Sequence, residues 1–132
     1  MGLRELFGQG AEPADETSVA VTDALRMLAE GGVVIDVRTQ TEYERGHIPG
    51  SRLVLIDDLQ ASPLTAIWGH DPLAMMDPAT LGKTIIVVST TPAHASAVAH
   101  LLRDQDFKAH ALAGGLAGWV RDGQVLLPGP PR

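Results

Sequence analysis

The hexapeptide Ser89-Thr90-Thr91-Pro92-Ala93-His94 comes closer than any other stretch of this chain to a reactive arrangement. A serine attacks only when a base lies within hydrogen-bond reach and an oxyanion site faces it. His94, five residues on, is the base that the loop offers; the loop has no cysteine, arginine, lysine or carboxylate. No acidic residue can be singled out to orient His94, and the Gly-x-Ser-x-Gly elbow is absent, since Val87 and Thr91 stand at its glycine positions. The plainest role for the three hydroxyls is to satisfy the loop's own backbone.

Other chemistries fare worse. The five histidines, His47, His70, His94, His100 and His110, include no pair four apart and no His-Glu-x-x-His, so a metal site is not expected. His94 and His100, six apart, fall on different faces of a helix. Gly114-Gly115 precedes a helical pattern, but no Lys-Ser/Thr follows, and the glycines read as permitting positive φ rather than cradling phosphate. The chain has no cysteine, which removes disulfides, thiolate metal sites and any thiol nucleophile. No cofactor is implied.

These residues must be carried by strands and helices that alternate along the chain. "VVIDV" (33–37) and "TIIVV" (84–88) are apolar runs of the kind buried on both faces of a parallel sheet. "SVAV", "SRLVLI" and "AHALA" are weaker strand candidates. Helical patterns follow several of them: "DALRMLAE" with Thr22 as its cap, "TQTEYERG", a helix with Ala95, Val98, Leu101 and Leu102 on one apolar face, and "LAGWVRD". Between Asp57 and Gly82 the pattern is weak, punctuated by Pro63, Pro72 and Pro78, with one or two short helices such as "PLAMM". Strand-helix alternation predicts a single α/β domain of right-handed βαβ units. In such sheets ligands bind beyond the carboxyl ends of the strands, which is where Ser89 stands. Residues 1–16 read as a flexible arm, 17–124 as the domain, and 125–132 as a Pro/Gly-rich tail that can be neither helix nor central strand.

Composition narrows the partners. A formal charge of −6 argues against nucleic acid and anionic membranes, which need clustered Lys and Arg. No apolar run reaches the roughly 18 residues of a membrane span, and the first sixteen residues lack a signal-peptide core; the expected location is cytoplasmic. The oligomeric state is not legible.

Taken together, "VVIDVRTQTEYERGHIPGSRLV" and "ALAGGLAGW" resemble the two signatures of the rhodanese-like domain, and the likeness runs from about Val19 to Asp122. The resemblance implies a sheet of about five mostly parallel strands flanked by helices on both faces. It also implies structural roles for Asp36, Arg38, Glu42, His47, Gly50, Gly114, Gly115 and Trp119. Asp36 would accept backbone N–H groups, Arg38 would pair with Glu42 or Glu44, His47 would bond loop carbonyls, and Trp119 would pack in the core. Trp68, in the divergent stretch 56–81, is core or else a contact surface.

Active members of that family carry a cysteine directly after the strand corresponding to "TIIVV". It takes sulfur from a donor such as thiosulfate and passes it on from a persulfide, held as thiolate by inward N–H groups and a helix N-terminus. In this chain Ser89 occupies that position, His94 replaces the closing arginine and Pro92 a glycine. Oxygen forms no persulfide, proline removes an N–H, and histidine gives up a fixed cation. The expectation is a rhodanese-like domain inactive in sulfur transfer and used for binding or regulation. Its partner would be an unidentified protein or a small anionic ligand held by the loop from Ser89 to His94. Two alternatives stand beside it: a sulfurtransferase whose cysteine has been substituted, and an enzyme of other chemistry built on Ser89 and His94.

Overall fold

The computed structural model describes residues 16–69 and 77–131. Five strands form one sheet: β1 (Ser18–Val19), β2 (Val33–Asp36), β3 (Arg52–Leu53), β4 (Thr84–Val88) and β5 (Lys108–Leu112). They lie in the order β1-β5-β4-β2-β3, and every neighbouring pair is parallel. Around them, among the described residues, run seven helices: α1 (Val21–Ala29), α2 (Gln40–Arg45), α3 (Ile56–Ala61), α4 (Pro63–Trp68), α5 (Pro78–Leu81), α6 (Pro92–Arg103) and α7 (Gly115–Arg121). The sheet is thus wholly parallel, as its crossover helices require.

The two apolar runs are central because both of their faces are covered. Side chains alternate across a strand, and here Ile35, Val37, Ile85 and Val87 join Ala95, Val98, Ala99 and Leu102 of α6 on one side. Val34, Ile86 and Val88 join Val21 and Ala24 of α1, Ile48 and Trp119 on the other. Trp119 therefore sits in the core, its indole N–H donating to the Val125 carbonyl at 2.9 Å. The carboxyl ends of β2 and β4, where Asp36 pairs with Val88, open onto the same edge.

Several local expectations change. α1 begins at Val21 with Ala20 as its cap residue and no side-chain cap, so Thr22 lies inside the helix rather than at its mouth. "SRLVLI" pairs only at Arg52 and Leu53, because the chain turns into α3 at Ile56. The weak stretch supplies three short helices, α3, α4 and α5; "PLAMM" and His70 lie outside the described residues, as does most of the predicted arm. Beyond α7 the tail runs back over the domain, where Leu127 exchanges backbone hydrogen bonds with His47 and the Gly129 N–H meets the Glu44 carbonyl.

Candidate functional site

Two polar segments meet at the shared strand edge. The first leaves β2. Asp36 is 1% exposed, a position that a carboxylate occupies only when fully partnered. Its partner is Arg38, two residues on, which pairs with Asp36 rather than with Glu42 or Glu44. Arg38 Nε donates to both Asp36 oxygens at 2.9 and 3.1 Å, and Nη2 donates to Oδ2 at 2.7 Å. The Arg38 backbone N–H adds a bond to Oδ1 at 3.0 Å, as expected of Asp36. Nη2 also reaches the Gly46 carbonyl at 2.8 Å, tying the strand end to the far end of α2. The nearer carboxylate wins because its planar fork matches the guanidinium and both are shielded from water.

Glu42 has another task. Thr39 and Glu42 form a reciprocal capping box at the start of α2, with the Glu42 N–H on Thr39 Oγ1 at 3.2 Å and the Thr39 N–H on Glu42 Oε1 at 3.3 Å. The other carboxylate oxygen, Oε2, accepts the Thr90 hydroxyl at 3.2 Å across 48 residues of sequence. The hydrogen bonds from Thr39, side chain first and then backbone, hold the Glu42 carboxyl below its ordinary range, aided by Thr90 and the Arg38 charge. Further along, Tyr43 is buried with its hydroxyl on the Ser51 carbonyl at 2.7 Å, and its ring stacks on His47 at 3.8 Å. His47 Nδ1 lies 2.9 Å from the Tyr43 carbonyl, so the buried imidazole bonds the last turn of α2 rather than a loop carbonyl.

The second segment leaves β4. Ser89 is 3% exposed, and its hydroxyl lies 2.5 Å from His94 Nδ1, so the two residues five apart in sequence do meet. Thr91 caps α6 by accepting the His94 N–H at 3.2 Å, and Pro92 fills the first helical position, where a missing N–H is harmless. His94 itself is exposed, and Ser89 is covered.

Facing Ser89 is the turn between β5 and α7. Gly114 (φ 76°) and Gly115 (φ 58°) both hold left-handed backbone, which a side chain would strain. Arg38, Glu42, Ser89, Thr90, Gly114 and Gly115, with Leu116 and Ala117, line a cavity of about 180 Å³. The Thr90–Glu42 link and the lining from Leu116 and Ala117 were not read from sequence; contacts 48 residues apart leave no local pattern.

The remaining candidates lie elsewhere. Gly50 sits at a turn with φ 82°, away from the cavity lining. Trp68 packs against the core cluster with the Arg52 guanidinium 5.8 Å from its ring. Among the described residues no three histidine or acidic side chains converge as a metal site would require, and no helix is long and apolar enough to cross a membrane.

With strand order, loop and cavity in view, the sequence profile of the rhodanese-like domain matches residues 20–122. The chain belongs to the rhodanese-like domain family. Solved structures carry the same fold. The Alr3790 protein from Anabaena sp. is 23% identical with a TM-score of 0.64, over 83% of this chain and 82% of that one. A rhodanese-related protein from Thermoplasma volcanium is 18% identical with a TM-score of 0.63, covering 83% and 96%. A thiosulfate sulfurtransferase from Pseudomonas aeruginosa is 18% identical with a TM-score of 0.65, over 89% of this chain but 20% of that protein. No curated protein is similar enough to match. Within this rhodanese-like domain the segment leaving β2 keeps the family signature, and the segment leaving β4 presents a serine.

Proposed function

We propose that this rhodanese-like domain does not relay sulfur and that it serves a binding or regulatory role in the cytoplasm, using the cavity below the β4–α6 loop. The observation that carries this reading is Ser89, buried directly after β4 in a chain without cysteine. Sulfur relay needs an atom there that ionises readily and bonds to sulfur, and a hydroxyl does neither. Among the described residues the one cation lining the cavity, Arg38, is already matched to Asp36. Turnover of thiosulfate and cyanide by the purified protein is expected not to exceed a heat-killed blank; turnover above it would sink the proposal. Ser89→Cys separates this reading from that of an active enzyme with a substituted cysteine. The restored thiol is expected to remain unloaded on incubation with thiosulfate, by intact-mass measurement, and rapid persulfide formation would favour the rival.

The Ser89–His94 contact supports one second reading, a serine nucleophile with His94 as base. Against it stand the exposure of His94 and the absence of a carboxylate bonded to its ring among the described residues. A fluorophosphonate reagent decides: labelling at Ser89 that is lost in His94→Ala would establish the second reading, and an unlabelled serine retires it.

A further inference from the structure

The cavity beside Ser89 carries a carboxylate, Glu42, where an anion site would call for a free cation. Among the described residues two of its lining side chains are charged. Arg38 is bound through three hydrogen bonds to the Asp36 carboxylate and a fourth to the Gly46 carbonyl, which leaves that pair neutral as a unit. Glu42 makes no ion pair among the described residues; its oxygens accept only the Thr39 N–H and the hydroxyls of Thr39 and Thr90. Those donors also keep its carboxyl ionised, since they hold its pKa down. The partial positive charge of the α6 N-terminus is blunted by the Thr91 cap and by a first position, Pro92, without an N–H. Glu42 is therefore a carboxylate without an ion pair among the described residues, on the wall of the cavity.

A second depression of about 260 Å³ adjoins the first through their common wall, Arg38. Val37, Leu55 and Ile56 give it an apolar lining, and Asp57 adds a second carboxylate. Leu55 is 52% exposed, an uncovered apolar side chain next to the site. The whole chain carries −6, so a basic segment is also drawn in at long range.

We propose that the cavity beside Ser89 receives a protonated amine, and that the amine is a lysine of a partner protein whose neighbouring apolar side chain seats against Leu55. This deepens the binding role proposed above and rests on it. The ammonium group donates to Glu42 Oε2 in place of Thr90, and the Thr90 and Ser89 hydroxyls supply further acceptors at the cavity wall. Anions such as thiosulfate meet the Glu42 charge with no free cation to offset it.

The test is an amide-resolved NMR titration of the full chain at constant ionic strength with four probes: thiosulfate, inorganic phosphate, n-butylammonium and N-acetyl-Leu-Lys-amide. The two amines are expected to shift the amides of Ser89, Thr90, Gly114 and Gly115, and the two anions are not. The dipeptide should saturate at a roughly tenfold lower concentration than butylammonium, the effect of covering part of one leucyl side chain. Glu42→Gln should abolish the amine response while keeping the fold, because glutamine also serves at that position of a capping box; circular dichroism checks the fold. Shifts caused by the anions alone, no response to any probe, or an undiminished amine response in the glutamine variant would each overturn the proposal. Equal saturation by the two amines would make the ligand a free alkylammonium and remove the partner protein. Thiosulfate turnover on the same sample separates the two claims: turnover sinks the binding role itself, and anion-selective shifts without turnover sink only the amine.

Discussion

The segments leaving β2 and β4 end at the same sheet edge, yet they are built on opposite terms. The β2 segment, Asp36 to Gly50, is closed: its buried carboxylate, guanidinium, phenol and imidazole each have a protein partner at 2.7–3.1 Å. The β4 segment, Ser89 to His94, is open, with exposed Thr90, Thr91 and His94 around one covered hydroxyl. Closed polar networks fix a fold because breaking any one bond strands a buried group. Open loops tolerate replacement, so a family can lose its reagent at one segment while the other still specifies the architecture. The difference teaches that fold and chemistry are held by separate sets of residues here, although those residues share a cavity.

The sharpest way to break this contrast is Asp36→Ala. It leaves the Arg38 guanidinium, whose side chain is only 9% exposed, without its counter-charge. Removing one member of a buried pair typically destabilises by about 3–5 kcal/mol. A urea midpoint that moved by no more than a surface substitution would show that the β2 segment is not the structural one. Tyr43→Phe should act next, at about 1–3 kcal/mol, since it strips the Ser51 carbonyl of a buried donor while leaving the His47 stack in place. On the open segment, Thr91→Ala should lose about 1 kcal/mol, the usual worth of a helix N-cap. A loss there equal to that of Asp36→Ala would erase the distinction between the segments.

The same division explains what could be read from the sequence. β2 and β4 were legible because β-branched runs buried on both faces have no polar alternation to obscure them. β3 shrank to Arg52 and Leu53 because the chain turns into α3 at Ile56, with Leu55 as the cap residue. The cap of α1 moved to Ala20 because the start of a helix is set by where β1 ends, and Thr22 could not signal that. At the site, the burial of His47 and Trp119 followed from their motifs, but the partner of Arg38 did not: Asp36, Glu42 and Glu44 are all within reach in sequence, and only the rotamers choose. The Ser89–His94 contact was geometrically open in the loop, whereas the Thr90–Glu42 contact joins segments that no local pattern links.

The smallest effect expected lies in the middle of β5, at a residue that does not line the cavity, and serves as a control on any acid sensitivity assigned to the cavity. His110 is held below its ordinary value of 6.5, first by burial and then by the Arg103 charge, with a bond to the Thr17 carbonyl opposing them. Arg103 Nη2 lies 3.1 Å from His110 Nδ1, an arrangement in which the neutral ring accepts. In the unfolded chain the imidazole binds its proton at ordinary pH, so below about 6.5 the unfolded state holds more protons than the folded one. Stability is then complete above that pH and falls as the pH drops through it. Glu42 contributes in the same direction but in a lower window, below its ordinary value of 4.5, because its folded carboxyl stays ionised further into acid. Urea midpoints compared at pH 8 and pH 5.5 should therefore decline in the parent protein, and His110→Gln should flatten that decline while Glu42→Gln leaves it unchanged. A decline that persists in the His110 variant would place the acid-sensitive group elsewhere, and one that vanished with Glu42 would bring the cavity into the stability of the fold, against the separation argued from the two segments.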